Sequence, residues 1–138
     1  MAGLGEANTT EIDPNTTTPL LALASCPVDG RPGGSPRLTG KMKIRVSRGS
    51  LAFDAYKKTS VEEAFACNYE LNPAYRKPLE KAGIEVSGVS EDGGARIIEL
   101  SDHRFFLGTG FLPQLASEAG NPHPLFVAFL EAAGKTRK

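Results

Sequence analysis

Apolar and polar positions alternate most cleanly over residues 41–46, where Met42, Ile44 and Val46 interleave with Lys41, Lys43 and Arg45. A two-residue period puts the two sets on opposite sides of a strand, so this segment predicts a strand near a sheet edge with one wet face. Residues 84–89 and 96–100 flank Glu91-Asp92-Gly93-Gly94, a strong turn signal, and predict a hairpin. Residues 105–114 read Phe-Phe-Leu-Gly-Thr-Gly-Phe-Leu-Pro-Gln. An apolar run with two glycines that let another backbone approach, ended by a proline, predicts a buried strand to Phe111 that delivers a loop to one sheet edge. Such loops are where α/β enzymes keep their chemistry. Residues 61–71 read as one extended segment with Phe65, Cys67 and Tyr69 on a common face, and residues 20–25 as a short buried strand ending at Cys26-Pro27.

Between these lie helix signals. Ser50 can cap a short helix reaching Tyr56, because its hydroxyl can take a free amide of the first turn. Asn72-Pro73 opens a second that Gly83 closes, with Pro78 expected to kink or divide it. Asn121-Pro122-His123-Pro124 introduces a third over residues 125–133, apolar on most faces and therefore expected to pack against the sheet. His123, beside prolines at a helix start, reads as a structural or capping residue, and His103 also reads as structural. Residues 1–18 lack any sustained period, and residues 29–40, with Pro32, Gly33, Gly34 and Pro36, form a turn-rich excursion. The chain thus divides into a loop-rich segment, residues 1–40, and a folded unit, residues 41–138.

Composition narrows the function. At 138 residues, 40% hydrophobic and 23% charged, the chain has room for one ordinary globular domain. Sixteen basic residues balance sixteen acidic ones, and the only basic cluster is Lys135, Arg137 and Lys138, so no footprint for nucleic acid is present. No apolar run approaches the ~20 residues that span a bilayer, and the N-terminus has no basic region followed by a hydrophobic one. The chain is therefore read as cytoplasmic, with no membrane partner. Cys26 and Cys67 lie far apart without paired spacing, which suits reduced thiols better than a disulfide or a metal site; neither metal nor cofactor is expected. Asn8-Thr9-Thr10 and Asn15-Thr16-Thr17 match the glycosylation pattern, but without a secretion signal they read as chance. Gly134-Lys135-Thr136 is not a phosphate loop, since Phe129 stands where that loop has its first glycine.

Several blocks resemble one family. Tyr69-Glu70-Leu71-Asn72, Ile97-Ile98-Glu99-Leu100 and His123-Pro124-Leu125-Phe126, with the run over residues 105–114, resemble the end of the glutaminase domain of CTP synthase, a class I glutamine amidotransferase. The likeness extends over about residues 40–133 and is closer still to the stand-alone proteins related to the CTP synthase C-terminal region, which commonly lack the histidine. It implies an α/β chain forming the carboxyl half of a flavodoxin-like amidotransferase domain, with residues 3–20 following the nucleophile helix. The earlier half, with its oxyanion loop and Gly-x-Cys-x-Gly elbow, has no counterpart in the sequence.

The same resemblance implies what is missing. In the family the strand ends in Phe-His-Pro-Glu, whose His and Glu complete a Cys-His-Glu triad; the matching positions here are Leu112 and Gln114. The family's Glu-Arg-His-Arg-His-Arg-Tyr-Glu-Val-Asn matches residues 63–72, which places Asn68 where an arginine belongs to the glutamine-binding wall, beside Tyr69. A neutral amide lacks the guanidinium's charge and paired donors. Glutamine hydrolysis by a thiolate needs a base worth about 10²–10⁴-fold, and Leu112 cannot titrate. Neither cysteine has an elbow's flanking glycines, and Pro27 denies Cys26 the following amide. These residues imply a degenerate, non-catalytic relative that binds glutamine or another small molecule and self-associates. The alternative is a fragment or subunit of CTP synthase whose missing residues come from another chain or an upstream segment.

Overall fold

The computed structural model describes residues 2–24 and 39–135. Its strands are β1 (Asn8–Thr9), β2 (Pro19–Leu23), β3 (Thr39–Val46), β4 (Ser60–Ala66), β5 (Tyr69–Leu71), β6 (Ile84–Ser90), β7 (Ala95–Leu100) and β8 (Leu107–Thr109). The helices are α1 (Leu51–Tyr56), α2 (Arg76–Lys81) and α3 (Pro124–Gly134), and single 3₁₀ turns occupy Pro73–Tyr75 and Pro113–Ala116. Five strands form one antiparallel sheet in the order β4-β3-β6-β7-β8, and β1, β2 and β5 form a smaller one. The α/β class and the hairpin beside the last strand agree with the sequence reading.

The alternation over residues 41–46 holds: Ile44 and Val46 are buried, while Lys41 and Lys43 are exposed. β3 lies one strand in from the edge, with β4 outside it. Ile44 and Ile97, both at 0% exposure, meet Ala52, Phe111 and Leu125 to make the core. Gly88 permits this layer, because a Cβ there would fall 2.6 Å from Cγ1 of Ile97, on a strand where the β6–β7 register shifts.

α1 starts where its chemistry directs. The Ser50 hydroxyl accepts from the Phe53 amide, and Glu99 on β7, itself buried, takes the Leu51 and Ala52 amides through its two carboxylate oxygens at 2.8 and 2.9 Å. The second helix is divided, as Pro78 demands. Pro78 offers no amide to the Ala74 carbonyl, and the segment runs as a 3₁₀ turn before it becomes α2; Gly83 ends it at φ +85°.

Four expectations are corrected. The run ending at Phe111 is not one buried strand: only Leu107–Thr109 pairs, Phe106 is 43% exposed, and the buried aromatic is Phe111, beyond the strand. Residues 61–71 are two strands in two sheets, since Cys67 and Asn68 turn the chain from β4 to β5. β2 is a strand but not a buried one, with Leu21 and Leu23 both exposed. α3 turns only Leu125 fully into the core and packs beside α1. Its larger side chains, Phe126, Val127, Phe129 and Leu130, face outward, because Ala128 and Ala132 occupy the inner side.

Candidate functional site

Two clefts of about 320 and 310 Å³ lie on either side of a common wall formed by Cys67, Tyr69, Arg96 and Gly110. β5 and β7 deliver Tyr69 and Arg96, and the turn between β4 and β5 delivers Cys67. The first cleft adds Lys41 and Lys43 from the wet face of β3 and Asp92 from the hairpin turn. The second is lined by apolar groups, including Leu71, Ile98, Phe111 and Leu112. The first opening thus has charged side chains of both signs at its rim, and the second is mostly apolar.

Arg96 organises the wall. Its side chain is 9% exposed, and Nη2 stands 2.8 Å from Oε2 of Glu70, whose side chain is equally buried. Its Nε donates to the Ser90 hydroxyl at 2.8 Å, and Asp92 lies 3.5 Å from Nη2. The Ser90 hydroxyl, then the Gly94 amide and Arg96, hold the Asp92 carboxyl below the usual carboxylate range. Gly94 leaves the room this requires, since a Cβ there would sit 2.9 Å from Arg96 Nη2. The Cys67 thiol is free and exposed, and its sulfur accepts from the Tyr69 amide.

Tyr69 and Leu112, singled out in the sequence, both line the second cleft, where Leu112 is tethered by its amide to the Ala64 carbonyl. Asn68 lines neither cleft; its carbonyl accepts from Ala24. Gln114 is exposed on the 3₁₀ turn after Pro113 and is also outside both. Cys26 and most of the 29–40 excursion lie outside the described residues, as do Thr136, Arg137 and Lys138. The two histidines stand away from the clefts. His123 is buried as the cap of α3, its Nδ1 taking the Leu125 amide, and His103 is exposed in a turn against Phe105. Arg96 was missed in the sequence reading, although an arginine four residues after Asp92 across a Gly-Gly turn is a signal for a turn-closing ion pair.

Among the described residues no group of three or more His, Cys, Asp or Glu side chains could hold a metal ion, and no helix is long and apolar enough to cross a membrane.

No family model matches the chain. It is 43% identical to the CTP synthase of Sulfolobus acidocaldarius over 136 residues and 42% identical to that of Chlamydia muridarum over 128. Among solved structures, it matches the glutaminase domain of Trypanosoma brucei CTPS, which carries bound acivicin, with a TM-score of 0.88 and 27% identity. The chain is homologous to the CTP synthase glutaminase domain. The matches cover 95% and 92% of this chain but 25% and 24% of those two CTP synthases, so it spans about a quarter of their length. The trypanosomal match covers all of this chain and 54% of that glutaminase chain, which agrees with the flavodoxin-like amidotransferase architecture expected from the sequence. The relation to a fragment of CTP synthase is better supported than the reading of a degenerate, non-catalytic protein.

Proposed function

We propose that the chain serves as one part of a CTP synthase-type glutaminase, contributing the sheet and the Tyr69–Arg96 wall of the glutamine-binding region, while the nucleophile and base come from an upstream segment or another chain. The observation that carries this reading is the asymmetry of the match: all of this chain is covered, against 54% of the glutaminase chain it superposes on. The clefts support it as well, since each, at about 310–320 Å³, is large enough to hold an amino acid. The acivicin-bound neighbour supports glutamine as that ligand, and the setting is the cytoplasm.

Leu112 favours a second reading, in which the assembled site binds glutamine without hydrolysing it. The resemblance implies that it stands at the position of the family's base; it lines the apolar cleft and cannot draw a proton from a thiol.

One experiment separates the two. Chlamydia muridarum CTP synthase with the segment matched by this chain deleted is co-expressed with the unmodified chain or with its Leu112→His, Gln114→Glu variant, because the deletion also removes that enzyme's own base, and ammonia release from glutamine is measured. Activity with the unmodified chain above that of the deleted enzyme alone supports the working part, and activity with the variant only supports the non-catalytic reading. A stable complex that binds glutamine but releases no ammonia supports the non-catalytic reading. Absence of any complex and of any glutamine binding overturns both.

A further inference from the structure

α3 wears its amphipathicity inside out. The side facing the molecule carries Leu125, Ala128 and Ala132, only the first of them large, whereas Phe126, Phe129 and Leu130 form a stripe at the i, i+3, i+4 spacing on the side left open. Their exposures are 38%, 52% and 66%, and Val127 beside them is at 36%. The Phe105 ring meets that of Phe129 at 5.7 Å between centroids, so the stripe continues onto the loop before β8. Scattered apolar residues on a surface need no explanation, but a contiguous aromatic stripe on a helix that turns alanines inward does.

A partner of matching size is implied by the comparison above. The glutaminase chain that superposes on all of this one has 46% of its length outside the match, by subtraction from the 54% covered. That remainder belongs to the same domain and must bury apolar surface against the matched half. We propose that the Phe105–Phe126–Phe129–Leu130 stripe is the docking surface for the remaining half of a CTP synthase-type glutaminase domain. This rests on the functional reading above and adds to it where the two halves meet. Electrostatics does not oppose the contact, because Glu131 and Lys135 are the only charged described residues on α3 and its cap, and they are opposite in sign. The aromatic rings supply the buried anchors on which such interfaces depend.

The test uses the intact chain, tagged, co-expressed with the same segment-deleted Chlamydia muridarum CTP synthase. Co-purification is scored for the unmodified chain, for Phe129→Asp and Leu130→Asp, and for Ile12→Asp, an exposed residue that lines neither cleft and is far from the stripe in sequence. Both α3 positions are more than half exposed, so the substituted chains keep their melting temperature, which is checked first. The expected result is co-purification with the unmodified chain and Ile12→Asp, reduced at least about tenfold by either α3 substitution. Co-purification that survives both α3 substitutions overturns the docking surface and leaves the functional reading standing. A homodimer abolished by those substitutions, with no co-purified enzyme, assigns the stripe to a second copy and overturns the proposal. A monodisperse monomer that captures nothing overturns it too, and glutamine binding by that monomer would still leave the ligand reading open to support.

Discussion

Nε2 of His123 stands 3.0 Å from Oε1 of Glu63, with side-chain exposures of 3% and 4%. The Nδ1 of the same ring accepts the Leu125 amide, so the ring carries its proton on Nε2 and donates it to the carboxylate. Tyr56 donates its hydroxyl to the same oxygen at 2.6 Å. One buried carboxylate therefore ties β4 to α1 and to the start of α3. Replacing His123 with Ala removes a helix cap and one partner of a buried charge. The loss in unfolding free energy should reach about 3 kcal/mol, read by urea titration.

The same cluster predicts behaviour in alkali. Burial first, then the hydrogen bond to Glu63 and its charge, push the Tyr56 hydroxyl far above its ordinary value. In the unfolded chain that hydroxyl ionises near pH 10 and in the folded one it does not. Its contribution is complete below about pH 10 and is lost as pH rises beyond it. Melting temperature should fall more steeply above pH 10 for the unmodified chain than for Tyr56→Phe; parallel curves would refute the coupling.

Acid acts at the turn between β6 and β7. Asp92 has a lowered folded value, so its contribution is present above the ordinary carboxylate range and fades as pH falls through the folded value. Asp92 is largely exposed, and the effect is correspondingly small. The side-chain carbon resonance of Asp92 should titrate below that of an unstructured aspartate, and Ser90→Ala should bring it back towards the ordinary range.

Phe111→Asp should prevent folding, since it sets a lone charge among Ile44, Ile97 and Leu125 at a cost above about 4 kcal/mol. Phe106→Asp should leave a cooperative unfolding transition, because that ring is already 43% exposed. Equal effects on far-ultraviolet circular dichroism would contradict this placement of the core.

Gly88→Ala should cost about 1–3 kcal/mol, because its new methyl meets the Ile97 side chain at Cγ1, Cδ1 and Cβ, the last of which cannot rotate away. Ile97→Val in the same background should recover part of the loss in a denaturant series.

Local chemistry made much of this fold legible. The alternation of β3, the Glu91–Gly94 turn, the Ser50 and Asn72 caps and the division at Pro78 depend on near neighbours in the chain, and the structure follows them. Apolar content was a poorer guide to burial. The run around Phe106 and the outer side of α3 have core composition, yet Phe106, Phe126, Phe129 and Leu130 stay exposed among the described residues. The two-sheet break at Cys67–Asn68 was hidden because both halves are extended, and a pattern of period two does not say which sheet a strand joins. Tyr69 and Leu112, named through resemblance, line the second cleft, whereas Arg96 acquires its place only when the hairpin folds it against Glu70 on another strand.

Glu99 has a consequence for the order of assembly. A six-residue helix has almost no stability of its own, and the amides that open α1 are held by a carboxylate nearly fifty residues further along. β7 must therefore be in place before α1 can persist. In pulsed hydrogen exchange the Leu51 and Ala52 amides should gain protection only after the β6–β7 ladder, and Glu99→Gln should speed unfolding while leaving the closure rate of that hairpin unchanged. The chain reads from its amino end, but this helix is completed from downstream.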